Sequence, residues 1–345
     1  MPLRSTIAVD VMGGDFGPRV TLPAVSRFSS QYPDSRFILC GNESVISDYL
    51  VAEPELSARI EVVVSSNDVA MADKPSVAIR TKRESSSMAL ALKQVASGRA
   101  DAVVSAGNTG ALMAMGCMVL DRLHAVDRPA ITTTIPTRKG QCMLLDLGAN
   151  LDASPKHLCQ YAVMGAAIAK ARGLQGLPKI ALLNVGEEAG KGGQSLQKAS
   201  QWISLQNNLE YCGFVEGDSM FSGDYDVVVC NGFVGNVALK TGEGVAQLIV
   251  DSLRDHLASR WYTKALAALL MPALKQWGKR FEPAIYNGAI FAGLKGNVVK
   301  SHGAASDTAF FNALSYAARL TQLKLPEKLQ AALVESDRVT PFDEQ

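Results

Sequence analysis

Nine short runs of β-branched and apolar residues punctuate the chain, and most are apolar at every position rather than at every second one. They fall at 6–11, 36–40, 60–64, 101–105, 130–135, 142–146, 179–184, 226–230 and 297–300. A strand with one face in water alternates; a strand covered on both faces does not. Helical patterns at 86–97, 108–121, 155–172, 194–207 and 303–319 lie between the runs. They fit crossover connections, so the chain reads as α/β with a mostly parallel sheet. Its 345 residues suffice for one large α/β domain or two modest ones, with no low-complexity linker between them.

The residues just after the strands narrow the reading. Six runs exit into glycine, asparagine or another polar residue: "MGGDFGP", "AGNTG", "LGAN", "VGEEAGKGG", "NGFVGN" and "SHGAA". Ligands of open parallel sheets bind at the carboxyl ends of the strands. Glycines there let backbone N–H groups approach a ligand, and the helix N-termini that come next favour anions. The six exits are therefore expected to converge on one edge. They carry amides and cations: Asn108, Asn150, Asn231 and Asn236 with Lys191, Lys240, Lys300 and His302, joined by Lys74 and Arg80. Such groups receive an anion and stabilise an oxyanion.

Other chemistries lack their residues. G-x-x-x-x-G-K-[ST] and G-x-S-x-G are absent, and "MGGDFG" is not G-x-G-x-x-G. The four histidines are far apart and the six cysteines form no C-x-x-C pair, so no metal site is expected and the thiols read as free. Net charge is +1 with no basic block, which argues against nucleic acid as the main partner. No signal peptide is read at the N-terminus, and "ALAALLMPAL" (265–274) is too short to span a bilayer.

One segment breaks the rhythm. Residues 243–282 read as two helices, roughly 243–258 and 263–279, with no strand between them. The second is apolar over most of its circumference, with Trp261 and Trp277 near its ends. Arg254, Arg260, Lys264, Lys275, Lys279 and Arg280 flank it. Such a projecting hairpin needs a cover: a second copy, a membrane surface, or both.

Taken in order, "IAVDVMGGDFGP" (7–18), "KPSVAIRTKRESSSM" (74–88), "ADAVVSAGNTGALMA" (100–114), "LLDLGAN" (144–150), "LLNVGEEAGKGG" (182–193), "DVVVCNGFVGNVALKTGEG" (226–244) and "GLKGNVVKSHGAA" (293–305) span nearly the whole chain. Together they resemble the bacterial phosphate acyltransferase family. The resemblance implies a single domain over 1–345: a three-layer α/β/α body at 1–242 and 283–340, similar to isocitrate and isopropylmalate dehydrogenases, with the hairpin at 243–282. It also implies a cytoplasmic homodimer bound peripherally to the inner face of the membrane, with no cofactor. Its reaction would convert acyl-[acyl carrier protein] and inorganic phosphate to acyl-phosphate. A membrane glycerol-3-phosphate acyltransferase would receive the product for phospholipid synthesis. Two positions depart from the family's pattern: Asn231-Gly232-Phe233 replaces its usual Asp-Gly-Phe, and Lys191-Gly192-Gly193 its Lys-Gly-Asn.

The chemistry tolerates the first departure. Inorganic phosphate, like phosphomonoesters, loses its second proton near neutrality and needs positioning more than a base. Lys191, Lys240, Asn108 and His302 are the expected catalytic residues. Phosphate would sit on the lysines, and the thioester carbonyl would be polarised near Asn108 and Thr109. Asp10, Gly13, Gly14, Asp15, Lys74, Arg80, Ser105, Gly107, Thr109, Asn150, Asn231, Gly232 and Asn236 are expected to line the substrate. The rival readings are phosphotransacetylase-like transfer from acyl-CoA, a nicotinamide-dependent dehydrogenase, and a non-catalytic scaffold that binds acyl carrier protein at a membrane.

Overall fold

Every second residue of the central strands belongs to one core and its neighbours to another: Ile7 and Val9 against Ala8, Ile180 and Leu182 against Ala181, Val227 and Val229 against Val228. Both sets are fully buried, which is why these strands show no alternation. The computed structural model describes residues 4–188, 190–279 and 288–339. Its strands are β1 (Thr6–Asp10), β2 (Arg36–Gly41), β3 (Ile60–Val64), β4 (Ala102–Ser105), β5 (Ala130–Thr137), β6 (Gly140–Leu145), β7 (Lys179–Leu183), β8 (Glu210–Val215), β9 (Val227–Val229), β10 (Ala289–Ala292) and β11 (Asn297–Lys300). They form one sheet in the order β3-β2-β1-β4-β11-β10-β5-β6-β9-β7-β8.

The helices are α1 (Pro18–Gln31), α2 (Glu43–Ala52), α3 (Pro54–Ser57), α4 (Pro75–Lys82), α5 (Ser87–Ala96), α6 (Thr109–Val119), α7 (Pro155–Ala171), α8 (Gln194–Ser204), α9 (Gly232–Ala258), α10 (Trp261–Lys279), α11 (Asp307–Leu323) and α12 (Leu325–Val339). Residues of α1, α7, α11 and α12 pack on one face of the sheet, and residues of α4, α5 and α6 on the other. The three-layer α/β/α arrangement is as expected. The methionine-rich helix α6 buries Leu112 and Met115 in the core.

Two strands were not foreseen. β8 carries Gly213 at φ +86°, beside the irregular register with β7, and this hides its pattern. β10 is four residues long and comes directly after Gly288.

Direction matters more than count. The pairings β11–β10, β10–β5 and β5–β6 are antiparallel, and those on either side of this stitch are parallel. Three reversals turn β6, β9, β7 and β8 against β1, β4 and β11. The six strand exits therefore do not share one edge. Those of β1, β4 and β11 open on one rim of the sheet, and those of β6, β7 and β9 on the opposite rim.

The hairpin also begins elsewhere than the sequence pattern suggests. Helix α9 starts at Gly232 and runs unbroken for 27 residues, through the expected boundary between body and hairpin at 242/243. Helix α10 packs back on it. Arg280 and residues 281–287 lie outside the described residues, as do the side chains of Lys275, Trp277 and Lys279.

Candidate active site

β1, β4 and β11 end in one row: Asp10 is in register with Ser105, and Ser105 with Lys300. Strand β1 has β2 on one side and β4 on the other, so the first crossover leaves the gap between β1 and β4 open. A gap of this kind at the carboxyl ends of strands is where α/β sheets bind ligands.

Asp10 is buried beneath the gap. Its two carboxylate oxygens accept from the hydroxyls of Ser87 and Ser105, each at 2.6 Å. Ser105 Oγ in turn accepts from the Gly107 N–H at 3.0 Å. Burial pushes the Asp10 carboxyl up, although both hydroxyls pull it down. Gly13 lies directly over this network: a Cβ there would stand 2.5 Å from the Asp10 carboxylate and 2.8 Å from the Gly107 nitrogen. Gly14 and Asp15 continue the same turn, and the Asp15 N–H donates to the Gly303 carbonyl at 2.9 Å.

Lys300 reaches up from the row to the Ala106 carbonyl at 3.1 Å and to the Ser301 carbonyl. Beyond it stands His302. Its Nδ1 accepts from the Ala304 N–H at 3.2 Å, so a neutral ring carries its proton on Nε2. Burial first, then the charges of Lys240 and Lys300, hold the ring's proton affinity below its ordinary value. Nε2 faces the Lys240 ammonium at 3.4 Å. Two donors thus lie side by side, an arrangement that suits an anion able to accept from both. Glu243 pairs with Lys240 at 2.7 Å from the next turn of α9.

Lys240 comes from the far half of the sheet. Helix α9 leaves β9 at the opposite rim, and nine residues at 1.5 Å each carry Lys240 back by roughly 13 Å. The helix lies close to the body because Gly232 and Gly235 have no side chains. A Cβ on Gly232 would meet the Asn150 carbonyl at 2.6 Å, and one on Gly235 would overlap the Asp146 carbonyl.

Several expected residues have other work. Asn108 caps α6 by accepting from the Ala111 N–H, and its amide donates to the Met71 and Asp73 carbonyls at 2.8 and 3.0 Å. Both amide hydrogens are committed, so Asn108 is a strap rather than an oxyanion donor. The neighbouring N–H groups of Thr109 and Gly110, in the first turn of α6, have no partner among the described residues. Lys74 stands at the N-cap position of α4 beside that strap, exposed and with no capping bond from its side chain, and Arg80 is exposed on the same helix.

At the opposite rim, Asn150 is buried and donates to Asp146, the Pro129 carbonyl and Tyr161. Asp146 also accepts from three backbone N–H groups. This closed network makes Asn150 structural, not a ligand to substrate. Asn231 caps α9 by accepting from the Val234 N–H at 2.8 Å, and Asn236 is exposed against the Gly148 turn. Lys191 pairs with Glu188 at 2.8 Å in the loop after β7, and that bond raises the lysine's proton affinity. Its loop belongs to the opposite rim, so the fold does not group Lys191 with Lys240 and His302 as expected. Ser87 and Gly303 were not among the expected site residues, and Lys300 was counted among the cations of the strand exits without a role of its own. Its place at the end of the apolar run "NVV" was the signal for a role inside the row.

A depression of about 340 Å³ lined by Arg4, Arg36, Asp34 and Asp101 lies at the amino ends of β1, β2 and β4, away from these groups. The convergence of donors, rather than this hollow, marks the site.

Comparison with known proteins agrees with the architecture and with the sequence motifs. A family model described as "Fatty acid synthesis protein" matches residues 5–328. The chain is 46% identical over 327 residues to a phosphate acyltransferase of Saccharophagus degradans, covering 95% of both chains. It is 43% identical over 330 residues to one of Shewanella halifaxensis, covering 95% of this chain and 96% of that one. Among solved structures, a phosphotransacetylase from Streptococcus pyogenes superposes with a TM-score of 0.63 at 14% identity, covering 93% of this chain and 97% of the other. A 4-hydroxythreonine-4-phosphate dehydrogenase from Salmonella typhimurium gives 0.52 at 14%, covering 92% and 99%. The fold is thus shared with acyl-transferring and dehydrogenase-like proteins.

Proposed function

The chain belongs to the fatty acid synthesis protein family, whose members include the phosphate acyltransferases, and on that premise we propose that it transfers an acyl group from a thioester to inorganic phosphate. The observation that carries this reading is the meeting of Lys240 and His302 as paired donors over the Asp10–Ser105–Lys300 row. The donor thioester is acyl-[acyl carrier protein].

A phosphate oxygen attacks the thioester carbonyl carbon, a C–O bond forms, and the C–S bond breaks as the tetrahedral intermediate collapses. The products are acyl-phosphate and the carrier's thiolate, which takes a proton at neutral pH. Lys240 and His302 hold phosphate oxygens. The N–H groups of Thr109 and Gly110 receive the carbonyl oxygen as its charge develops; one such donor contributes about 3–4 kcal/mol in a well-studied case. Because the phosphate dianion is already nucleophilic, no carboxylate base is needed, and Asn231 serves its helix instead.

The apolar side chains exposed along α9 and α10, among them Val237, Leu248, Ile249, Leu269 and Leu270, support a covered hairpin. Its cover is a second copy of the chain and, at the tip, the inner face of the cell membrane, where a glycerol-3-phosphate acyltransferase receives the acyl-phosphate. Among the described residues no helix is long and apolar enough to cross a membrane.

The test incubates the protein with palmitoyl-carrier protein and labelled phosphate, then traps acyl-phosphate with hydroxylamine. Direct transfer predicts a trapped product and no exchange of free carrier into the thioester when phosphate is omitted. Exchange without phosphate would reveal an acyl-enzyme and overturn direct attack.

A further inference from the structure

Lys300 is 8% exposed, yet its ammonium has neutral carbonyls for its hydrogen-bond partners. Among the described residues it forms no ion pair. Among the described residues its two bonds leave one of three hydrogens unused. The charged groups around it are Asp10 on β1, Asp15 in the turn after β1, and Lys240 on α9. His302 stands two residues on along its own strand exit. A buried cation without a direct counter-ion is expensive to maintain and becomes favourable when an anion arrives.

We propose that Lys300 is the primary phosphate-binding residue of this site, with Asp10, Ser87 and Ser105 as the buried rack that fixes its place. The proposal rests on the acyl-to-phosphate reading and adds to it which group recognises the phosphate. Lys240 and His302, half open to solvent, close over the anion from outside. The row Asp10–Ser105–Lys300 is set by strand register, so the ammonium is placed before any ligand binds.

Phosphate binding is then linked to a proton. Burial holds the Lys300 ammonium's affinity for its proton down to about 8, against 10.5 ordinarily. The two aspartates oppose this fall and Lys240 adds to it. A bound phosphate dianion favours the charged amine. Above pH 8, phosphate binding therefore draws a proton onto Lys300; well below pH 8 the amine is already protonated and takes up none, while the monoanionic phosphate gives up its second proton on binding as the dianion.

Calorimetry of inorganic phosphate binding to the full chain, in buffers of different ionisation enthalpy, reads this directly. The expected result is net proton uptake at pH 8.5 that is absent at pH 6.5, where the phosphate monoanion gives up its second proton on binding. Lys300→Met should abolish the uptake, weaken phosphate binding at least tenfold, and raise KM for phosphate while leaving KM for the thioester near its original value. Lys300→Arg retains the charge without titrating, so it should bind phosphate with no uptake at pH 8.5. Should Lys300→Met fail to fold, the native protein and Lys300→Arg still decide the matter. Absence of phosphate binding, or binding without proton uptake at pH 8.5, overturns the proposal, as does a Lys300→Met variant that affects both KM values equally. A native protein that binds phosphate with uptake but makes no acyl-phosphate would leave Lys300 as an anion site and defeat the acyl-transfer reading alone.

Discussion

At neutral pH the fold carries Lys300 as a buried ammonium, and this sets a pH signature in stability. Its proton affinity in the folded chain is lowered from 10.5 to about 8. The folded state thus favours the neutral amine, a contribution fully present above 10.5 and lost as pH falls through 8. The cost of the charged form is on the order of 3 kcal/mol. Urea unfolding should accordingly show the stability difference between Lys300→Met and the native chain moving toward the variant by about that amount between pH 10.5 and pH 7. A difference that stays flat across this range would show that burial exacts no such cost. Asn231 makes a second residue-scale prediction. Its side chain caps α9 through the Val234 N–H. Asn231→Asp keeps the acceptor and adds charge at a helix N-terminus, so stability should hold or rise by up to about 0.5 kcal/mol with turnover retained. Asn231→Ala should cost about 1 kcal/mol. Loss of turnover in Asn231→Asp would mean that the amide itself touches substrate.

At the scale of elements, much was legible and the failures have physical causes. Continuous apolar runs located β1, β4, β7, β9 and β11 because both sheet faces are covered. Gly213 obscured β8, and β10 is too short to show a period. Strand direction was beyond the sequence pattern: three successive antiparallel pairings send half of the exits to the other rim, and no local residue announces them. Asn108 and Asn150 illustrate the same limit at the site. Their amides were correctly placed at strand exits, but the carbonyls that occupy them lie 35 to 37 and 21 residues away in sequence. The hairpin gives the prediction at this scale. Replacing Leu248, Ile249, Leu269 and Leu270 by glutamine should reduce binding to anionic phospholipid vesicles at least tenfold. Transfer from a water-soluble thioester should change little, since these side chains lie outside the site. Unchanged vesicle binding would assign the stripe to the second copy alone.

For the molecule as a whole, one sheet passes through both halves, and its two cores are continuous across the antiparallel stitch. Local stability should reflect that plan. Hydrogen exchange should be slowest in β1, β4 and β11, where Ile7, Val104 and Val299 are fully buried. It should be much faster in residues 243–258 of α9 and in α10, which extend past the body with exposed faces. Uniform protection across both regions would indicate that the hairpin is covered even in the isolated protein.

Helix α9 joins those two regimes without a joint. Gly232 and Gly235 press its first turn against the body, Lys240 stands roughly 13 Å along it, and its far end roughly 39 Å along. In mechanical terms it is a lever pivoted at its glycines. A tilt of about 5° that moves the far end by roughly 3 Å displaces Lys240 by about 1 Å, enough to break or make one hydrogen bond. Whatever grips the hairpin therefore also sets how closely Lys240 approaches His302.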